Sequence, residues 1–206
     1  MKITVILAHP GRESFNHAIA KTTVEKLLEN GHEVSFHNLY GEKFNPILPF
    51  EEIPGDVSLP LEVEKHCGEI QKAEGIVIIH PNWWGQPPAI LKGWVDRVMR
   101  PGVAYRFVGE DQGEGVPEGL LKAKAAIVFN TANTPPGRES EVFGDPLQLL
   151  WKNCIFDLCG VPAFHRETFT VMVTSTHEER QSWLRKAGEV IGHYFPRRAE
   201  GSGGRQ

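Results

Sequence analysis

Lys2-Ile3-Thr4-Val5-Ile6-Leu7-Ala8-His9-Pro10-Gly11-Arg12-Glu13-Ser14-Phe15-Asn16-His17-Ala18 reads as a buried strand, a turn and the start of a helix in one piece. Residues 2–8 are a nearly continuous apolar run rich in β-branched side chains, which suits a central parallel strand covered on both faces. His9-Pro10-Gly11 breaks it. From His17 the spacing of Ala18, Ile19, Thr22, Val24, Leu27 and Leu28 is helical, which places Ser14 and Asn16 at or just before a helix N-terminus. Free N–H groups and the helix dipole favour an anion there, phosphate above all. Either residue can equally be an ordinary helix N-cap. The turn carries neither G-x-G-x-x-G nor a lysine-bearing phosphate loop, so the common dinucleotide and NTPase readings lose their main support.

Working outward, strands and helices alternate. Asn30-Gly31 ends the first helix, and Glu33 to Leu39 alternates like a strand nearer a sheet edge. Residues 40–60, with Pro46, Pro49, Pro54 and Pro60, read as a long irregular excursion. A helix over Leu61–Ala73 leads to the very apolar Gly75-Ile76-Val77-Ile78-Ile79-His80. A fourth strand is expected at Ala125–Asn130 and a fifth near Phe169–Val173, with helices at about Pro88–Val98, Pro146–Leu158 and Glu178–Phe195. This is a five-stranded doubly wound α/β sheet. In such sheets a ligand binds outside the carboxyl ends of the strands, at the switch point between the first and third.

The chain of 206 residues has 40% apolar and 23% charged residues, an ordinary composition for one globular domain over 1–195, with a Gly/Arg-rich tail over 196–206 expected to be flexible. A net charge of −4 offers no footprint for nucleic acid. No apolar run is long enough to span a membrane and no signal peptide is legible, so a cytoplasmic protein is expected. The three cysteines, Cys67, Cys154 and Cys159, make no C-x-x-C pair and are expected as reduced thiols, Cys154 and Cys159 packed in the apolar 149–160 helix. The nine histidines show no metal-ligand spacing, and no metal is expected.

The end of the third strand opens into His80-Pro81-Asn82-Trp83-Trp84-Gly85-Gln86-Pro87-Pro88-Ala89-Ile90-Leu91-Lys92-Gly93-Trp94-Val95-Asp96-Arg97-Val98. If the loop is extended, Trp83 and Trp84 point in opposite directions, one free to stack on a planar ligand while the other packs inward. An aromatic cluster covering the sheet edge would use the same residues. After the fourth strand, Asn130-Thr131-Ala132-Asn133 enters a Pro-rich loop able to set backbone N–H groups and the Thr131 hydroxyl against a developing negative charge. Asp145-Pro146 reads as a helix N-cap with Pro in the first helical position.

Two of these segments carry a resemblance. A-H-P-x-x-x-S-F-N-x-A over Ala8–Ala18, and P-x-x-W-x-x-x-P-A-x-L-K-x-W-x-D-x-V over Pro81–Val98, resemble the flavodoxin-like NAD(P)H:quinone oxidoreductases, as does Phe44-Asn45-Pro46 in the excursion. The resemblance implies a three-layer sandwich with sheet order 2-1-3-4-5 and a flavin held by His9, Ser14, Phe15, Asn16 and Ala18, by Pro81, Asn82, Trp83, Trp84 and Gly85, and by Asn130, Thr131, Ala132 and Asn133. Thr131 matches the family's Thr-Gly-Gly, while Ala132 and Asn133 stand in place of the glycines. Thr174–Arg180 with Leu184 resembles the segment that approaches the adenine half of FAD, so Arg180 joins the cofactor residues and FAD is favoured, FMN being the alternative.

Trp84, Tyr105, Phe107 and Phe143 are implied as walls of the substrate cavity, Tyr105 and Phe107 being equally readable as cross-strand neighbours in a β-hairpin. The tyrosine and histidine that relay a proton in mammalian relatives have no counterpart, since Gly137 and Phe143 occupy their places. No side chain is therefore assigned a catalytic role, because the flavin carries the chemistry. The implied activity is ping-pong hydride transfer from NADH or NADPH to a quinone or similar planar acceptor, in a homodimer whose active site lies at the subunit interface. Two alternatives remain: a flavin-bearing regulatory subunit of a potassium-efflux transporter, and an FMN electron-transfer flavodoxin.

Overall fold

A computed structural model of the chain describes residues 1–53, 57–108 and 115–197. The flexible tail expected over 196–206 lies, from residue 198 onward, outside the described residues, as does Pro54 of the excursion.

Strands β1 (Lys2–Leu7), β2 (Glu33–Asn38), β3 (Gly75–Pro81), β6 (Ala126–Thr131) and β7 (Phe164–Phe169) form one parallel sheet in the order β2-β1-β3-β6-β7. Counting only these strands, this is the flavodoxin-like 2-1-3-4-5 order. A separate antiparallel hairpin, β4 (Tyr105–Val108) and β5 (Val116–Gly119), stands between β3 and β6 in the chain. The helices are α1 (Phe15–Glu29), α2 (Leu39–Glu42), α3 (Leu61–Lys72), α4 (Ala89–Val98), α5 (Pro136–Glu141), α6 (Pro146–Gln148) and α7 (His177–Tyr194).

The central strands are apolar on both faces because both faces are covered. Ile6, Ile76, Ile78, Ala126 and Val128 point to one side, against Val63 and Ile70 of α3, Leu91, Trp94 and Val98 of α4, and Trp151 and Phe156. The alternate residues Val5, Leu7, Val77, Ile79, Ile127 and Phe129 point to the other, against Ile19 and Leu27 of α1 and Val190 and Ile191 of α7. α1 starts at a Ser14 cap whose side chain accepts from His17 N, so the capping reading of Ser14 holds. Asp145 likewise caps α6, accepting from Gln148 N at 3.3 Å ahead of Pro146 at the first position.

Three expectations need correction. The fifth strand is Phe164–Phe169, not Phe169–Val173. It is an edge strand, half-buried along most of its length, so it tolerates His165, Arg166, Glu167 and Thr168, and it ends where its partner β6 ends, at the Phe169–Thr131 pair. The more apolar Met172–Thr174 is a 3₁₀ turn. Secondly, the predicted 146–158 helix is present but winds as a π-helix from Leu149 to Asp157. Thirdly, Cys154 is exposed on it, whereas Cys67 and Cys159 are buried and burial pushes both thiols up to about 11.

Two buried histidines tie the layers together as neutral rings. His80 sets Nδ1 2.9 Å from Pro81 O, while its Nε2 receives Trp151 Nε1–H and Asn130 Nδ2–H, each at 2.9 Å. His66 accepts Trp94 Nε1–H on Nδ1 at 3.1 Å. Burial holds His80 down to about 4 and His66 to about 3. The unfolded chain therefore binds protons below its ordinary histidine value of about 6.5 that the folded chain refuses. Stability is complete above that value and falls with pH, by about 1.4 kcal/mol per unit for each ring, until the folded rings titrate. Urea midpoints measured from pH 7 to pH 5 are expected to drop steadily, and His80→Gln is expected to flatten the slope by about half.

Candidate active site

Everything at the carboxyl edge of β1, β3 and β6 converges on two adjoining cavities. The smaller, about 220 Å³, is lined by His9, Ser14, Phe15, Asn16, Pro81, Asn82, Trp83, Thr131, Ala132, Asn133 and Met172. It sits at the amino end of α1, where the Phe15 and Asn16 N–H groups precede the first bonds of the helix, from His17 N and Ala18 N to Ser14 O. Asn16 spans its floor: Nδ2 donates to Thr131 Oγ1 at 2.9 Å, and Oδ1 is buried without a partner. The bare end is an acceptor, so it suits a ligand O–H or N–H, while the adjoining helix N-terminus suits an anion. Burial lowers the His9 imidazole, so it is neutral near pH 7, and its Nδ1 lies 3.0 Å from Gly11 N.

The larger cavity, about 590 Å³, is lined by Asn82, Trp84, Gly85, Asn133, Thr134, Pro135, Arg138, Glu139, Phe143 and Pro146. Asn82 and Asn133 belong to both. Asn82 is the joint of the site. Its backbone N–H donates to Thr131 O at 2.7 Å, its Oδ1 accepts from Gly85 N at 2.9 Å, and its Nδ2 donates to Glu139 Oε1 at 2.9 Å. One residue thus locks β3, β6, α5 and the tryptophan loop together.

That loop is not extended as expected. Trp83 and Gln86 pair through reciprocal N–H to O bonds of 3.0 Å, and Trp84 and Gly85 between them have φ of 58° and 69°. This is a two-residue primed turn, normally built from Asn and Gly. Trp84 in a left-handed conformation costs about 1–2 kcal/mol, and its side chain is fully exposed over the large cavity. Neither tryptophan packs inward, and Trp83 remains 42% exposed with its ring 6.2 Å from that of His9. A β-carbon on Gly85 would lie 2.7 Å from Pro146 Cγ, so glycine is required both by φ and by space.

Of the other expected site residues, Phe143 lines the large cavity with the Arg138 guanidinium 5.7 Å from its ring centroid. Ala18 lines neither cavity: two residues past Asn16 it lies about 200° around the helix. Asn130 also lines neither, because its amide turns into the core to bond His80 and accepts Arg166 Nη1–H at 3.3 Å. Tyr105 and Phe107 sit on the β4–β5 hairpin with ring centroids 5.6 Å apart, as the hairpin reading has it, and line neither cavity of this chain. Arg180 donates to Ser175 Oγ at 2.8 Å and Met172 O at 3.2 Å, fixing the turn that carries Met172 to the small cavity.

Arg138, Glu139, Thr134 and Pro135 were not anticipated; Pro135-Pro136 as a helix start just past β6 was the available signal. A cluster of His37, Glu42 and His66 is the candidate for metal binding among the described residues. His66, however, accepts Trp94 N–H on Nδ1, which leaves the proton on Nε2, the atom that faces Glu42. His37 itself contacts Glu42 at 3.1 Å and Glu69 on its other nitrogen, so the group clamps β2, α2 and α3.

A family described as having a flavodoxin-like fold matches residues 1–191. An uncharacterized NAD(P)H oxidoreductase of Haemophilus influenzae is 36% identical over 173 residues, covering 82% of this chain and 83% of that protein. The chain belongs to the flavodoxin-like NAD(P)H:quinone oxidoreductase family. Another family member, the NAD(P)H:quinone oxidoreductase from Methanothermobacter marburgensis, superposes with a TM-score of 0.76 at 27% identity, over 93% of this chain and 95% of that one. The FMN-dependent NADH-azoreductase of Bacillus anthracis, solved with FMN, shares the fold at 18% identity and a TM-score of 0.73, over 93% and 98% of the two chains.

Proposed function

We propose that this protein is a flavin-dependent oxidoreductase that takes hydride from NADH or NADPH and passes it to a quinone or similar planar acceptor. The observation that carries this reading is the small cavity with the bare, buried end of the Asn16 amide, sharing Asn82 and Asn133 with a larger cavity lined by Glu139 and Trp84. The polar niche matches the phosphate-bearing and polar parts of a flavin: Ser14, Phe15 and Asn16 at the helix start, His9, and Thr131 with the backbone of 131–133. When bound, a flavin supplies two-electron transfer in both directions. The chain's own part is to hold it and to present Trp83 and Trp84 as flat walls.

The two substrates use the larger cavity in turn, giving ping-pong kinetics. FAD is proposed over FMN on the resemblance of Ala8–Ala18 and Thr174–Leu184, with Arg180 serving through the Met172–Ser175 turn it holds. A homodimer is proposed because Trp84 is fully exposed on a strained turn and Phe107 is exposed on the hairpin, surfaces that a second copy would cover. The test is reconstitution followed by release of the cofactor by heat, which identifies the flavin. Initial rates at several fixed acceptor concentrations should give parallel double-reciprocal lines, and intersecting lines would overturn the shared-cavity mechanism.

A further inference from the structure

The proposed reaction needs a proton that no side chain yet supplies. Reducing a quinone with one hydride leaves negative charge on an oxygen, and one proton must follow. Gly137 and Phe143 cannot deliver it. Among the described residues lining the large cavity, the ionisable side chains are Arg138 and Glu139, and a guanidinium is not a proton donor at neutral pH.

Glu139 is only 9% exposed, yet it faces two spaces. On one side is the large cavity. On the other is a small, partly open cavity of about 90 Å³, lined by Ala132, Thr134, Pro136, Asp145, Arg166, Thr168 and Thr170 as well as Glu139 itself. That volume takes a few water molecules, and its hydroxyls and charges give them partners. The charges facing Glu139 there are Asp145 and Arg166, which are ion-paired to each other. Arg166 is further held by Gln148 Oε1 at 3.1 Å and Thr168 Oγ1 at 3.0 Å, so it is not free to swing onto Glu139. Glu139 Oε1 accepts from Asn82 Nδ2 at 2.9 Å, and its second oxygen has no hydrogen-bond partner among the described residues.

We propose that Glu139 is the group that exchanges a proton with the acceptor's oxygen, loaded from water through the small cavity behind it. This rests on the reductase reading above. Hydride derived from NAD(P)H adds to one carbonyl oxygen of the quinone. The O–H bond of the Glu139 carboxylic acid breaks, its proton forms an O–H bond with the anionic oxygen, and hydroquinone leaves. The Glu139 carboxylate then takes up a proton from bulk solvent, relayed by water in the small cavity. The sum is NAD(P)H, a proton and quinone giving NAD(P)⁺ and hydroquinone.

Glu139→Gln separates this role from a structural one, because the amide oxygen still accepts from Asn82 while an NH₂ replaces the exchangeable oxygen. Its rate of hydroquinone formation is expected to fall at least tenfold, with the wild-type solvent isotope effect and pH dependence lost and partial recovery in Glu139→Asp. Flavin affinity and the melting temperature should be unchanged. Independently of turnover, the wild-type protein is expected to bind 2-naphthol at least threefold more tightly than 2-methoxynaphthalene, a preference that E139Q abolishes. Turnover within twofold of wild type with an unaltered pH profile, or a fall in flavin affinity or melting temperature in E139Q, would overturn the proposal. If the protein takes up no flavin, the reductase reading fails instead, and the naphthol preference, measured without cofactor, still decides whether Glu139 meets an acceptor hydroxyl.

Discussion

Asn82→Ala is expected to raise the flavin dissociation constant by about 10–100-fold and to cut turnover by about a hundredfold, while the sheet stays folded. Beside the turn's own Trp83–Gln86 pair, the side chain anchors it to its surroundings through two bonds, to Gly85 N and to Glu139 Oε1. The backbone bond from Asn82 to Thr131 survives the change, so β3 and β6 keep their register. What is lost is the anchor for a turn already strained at Trp84, and each lost or orphaned partner is worth about 1–3 kcal/mol. Displacing reacting surfaces by about 1 Å is enough for a hundredfold rate loss. Asn82→Asp keeps the acceptor for Gly85 N but replaces the Nδ2 donor to Glu139 Oε1 with an oxygen, so it is expected to fail as well. The measurements are flavin fluorescence titration and circular dichroism. Tight flavin binding in both variants would show that the turn needs no such anchor.

Glu52→Ala should be the most destabilising single change in the excursion, costing about 3–5 kcal/mol. Glu52 and Arg97 are a buried pair, 5% and 4% exposed at their side chains, with two charge-assisted bonds between them. Arg97 also donates to Asn45 O and Arg100 to Glu52 O, both at 2.6 Å, so the pair is what fastens residues 44–53 to α4. Removing the carboxylate leaves the Arg97 guanidinium buried without its counter-charge. α4 has no room to adjust, since a β-carbon on Gly93 would come within 2.1 Å of Pro46 O. A chemical-denaturation midpoint that moves by less than the equivalent of about 1 kcal/mol would contradict this. The double replacement Glu52→Leu with Arg97→Met is expected to recover much of the loss.

Local patterns in the sequence carry the core of the fold well where a strand or helix is buried. Lys2–Leu7 and Gly75–Pro81 are apolar because helices cover both their faces, and the Leu91, Trp94, Val98 stripe falls on the buried side of α4. The reading failed where tertiary position overrides composition. Phe164–Phe169 looks polar because it is an edge strand, and Val171–Val173 looks like a strand although it is the turn that carries Met172 to the cavity. Among the residues lining the two cavities, Ser14, Asn16, Asn82 and Thr131 were legible as candidates because they flank strand ends and a helix start. The conformation of Trp83-Trp84 was not, since a tryptophan with positive φ contradicts local preference and is held only by Asn82 and the Trp83–Gln86 pair. That the Asn130 amide turns into the core was not legible either, because nothing in its neighbourhood in sequence reveals that His80 and Arg166 claim it. Glu139 escaped notice because its importance comes from a bond to Asn82, 57 residues away.

The most direct test of the central claim is an anaerobic absorbance titration of the flavin-loaded protein, first with NADH or NADPH and then with a benzoquinone. The visible flavin band should bleach with one equivalent of nicotinamide and return in full with one equivalent of quinone. A band that neither nicotinamide bleaches would contradict a reductase and leave the same cavity to an electron carrier or a flavin-bearing regulatory subunit.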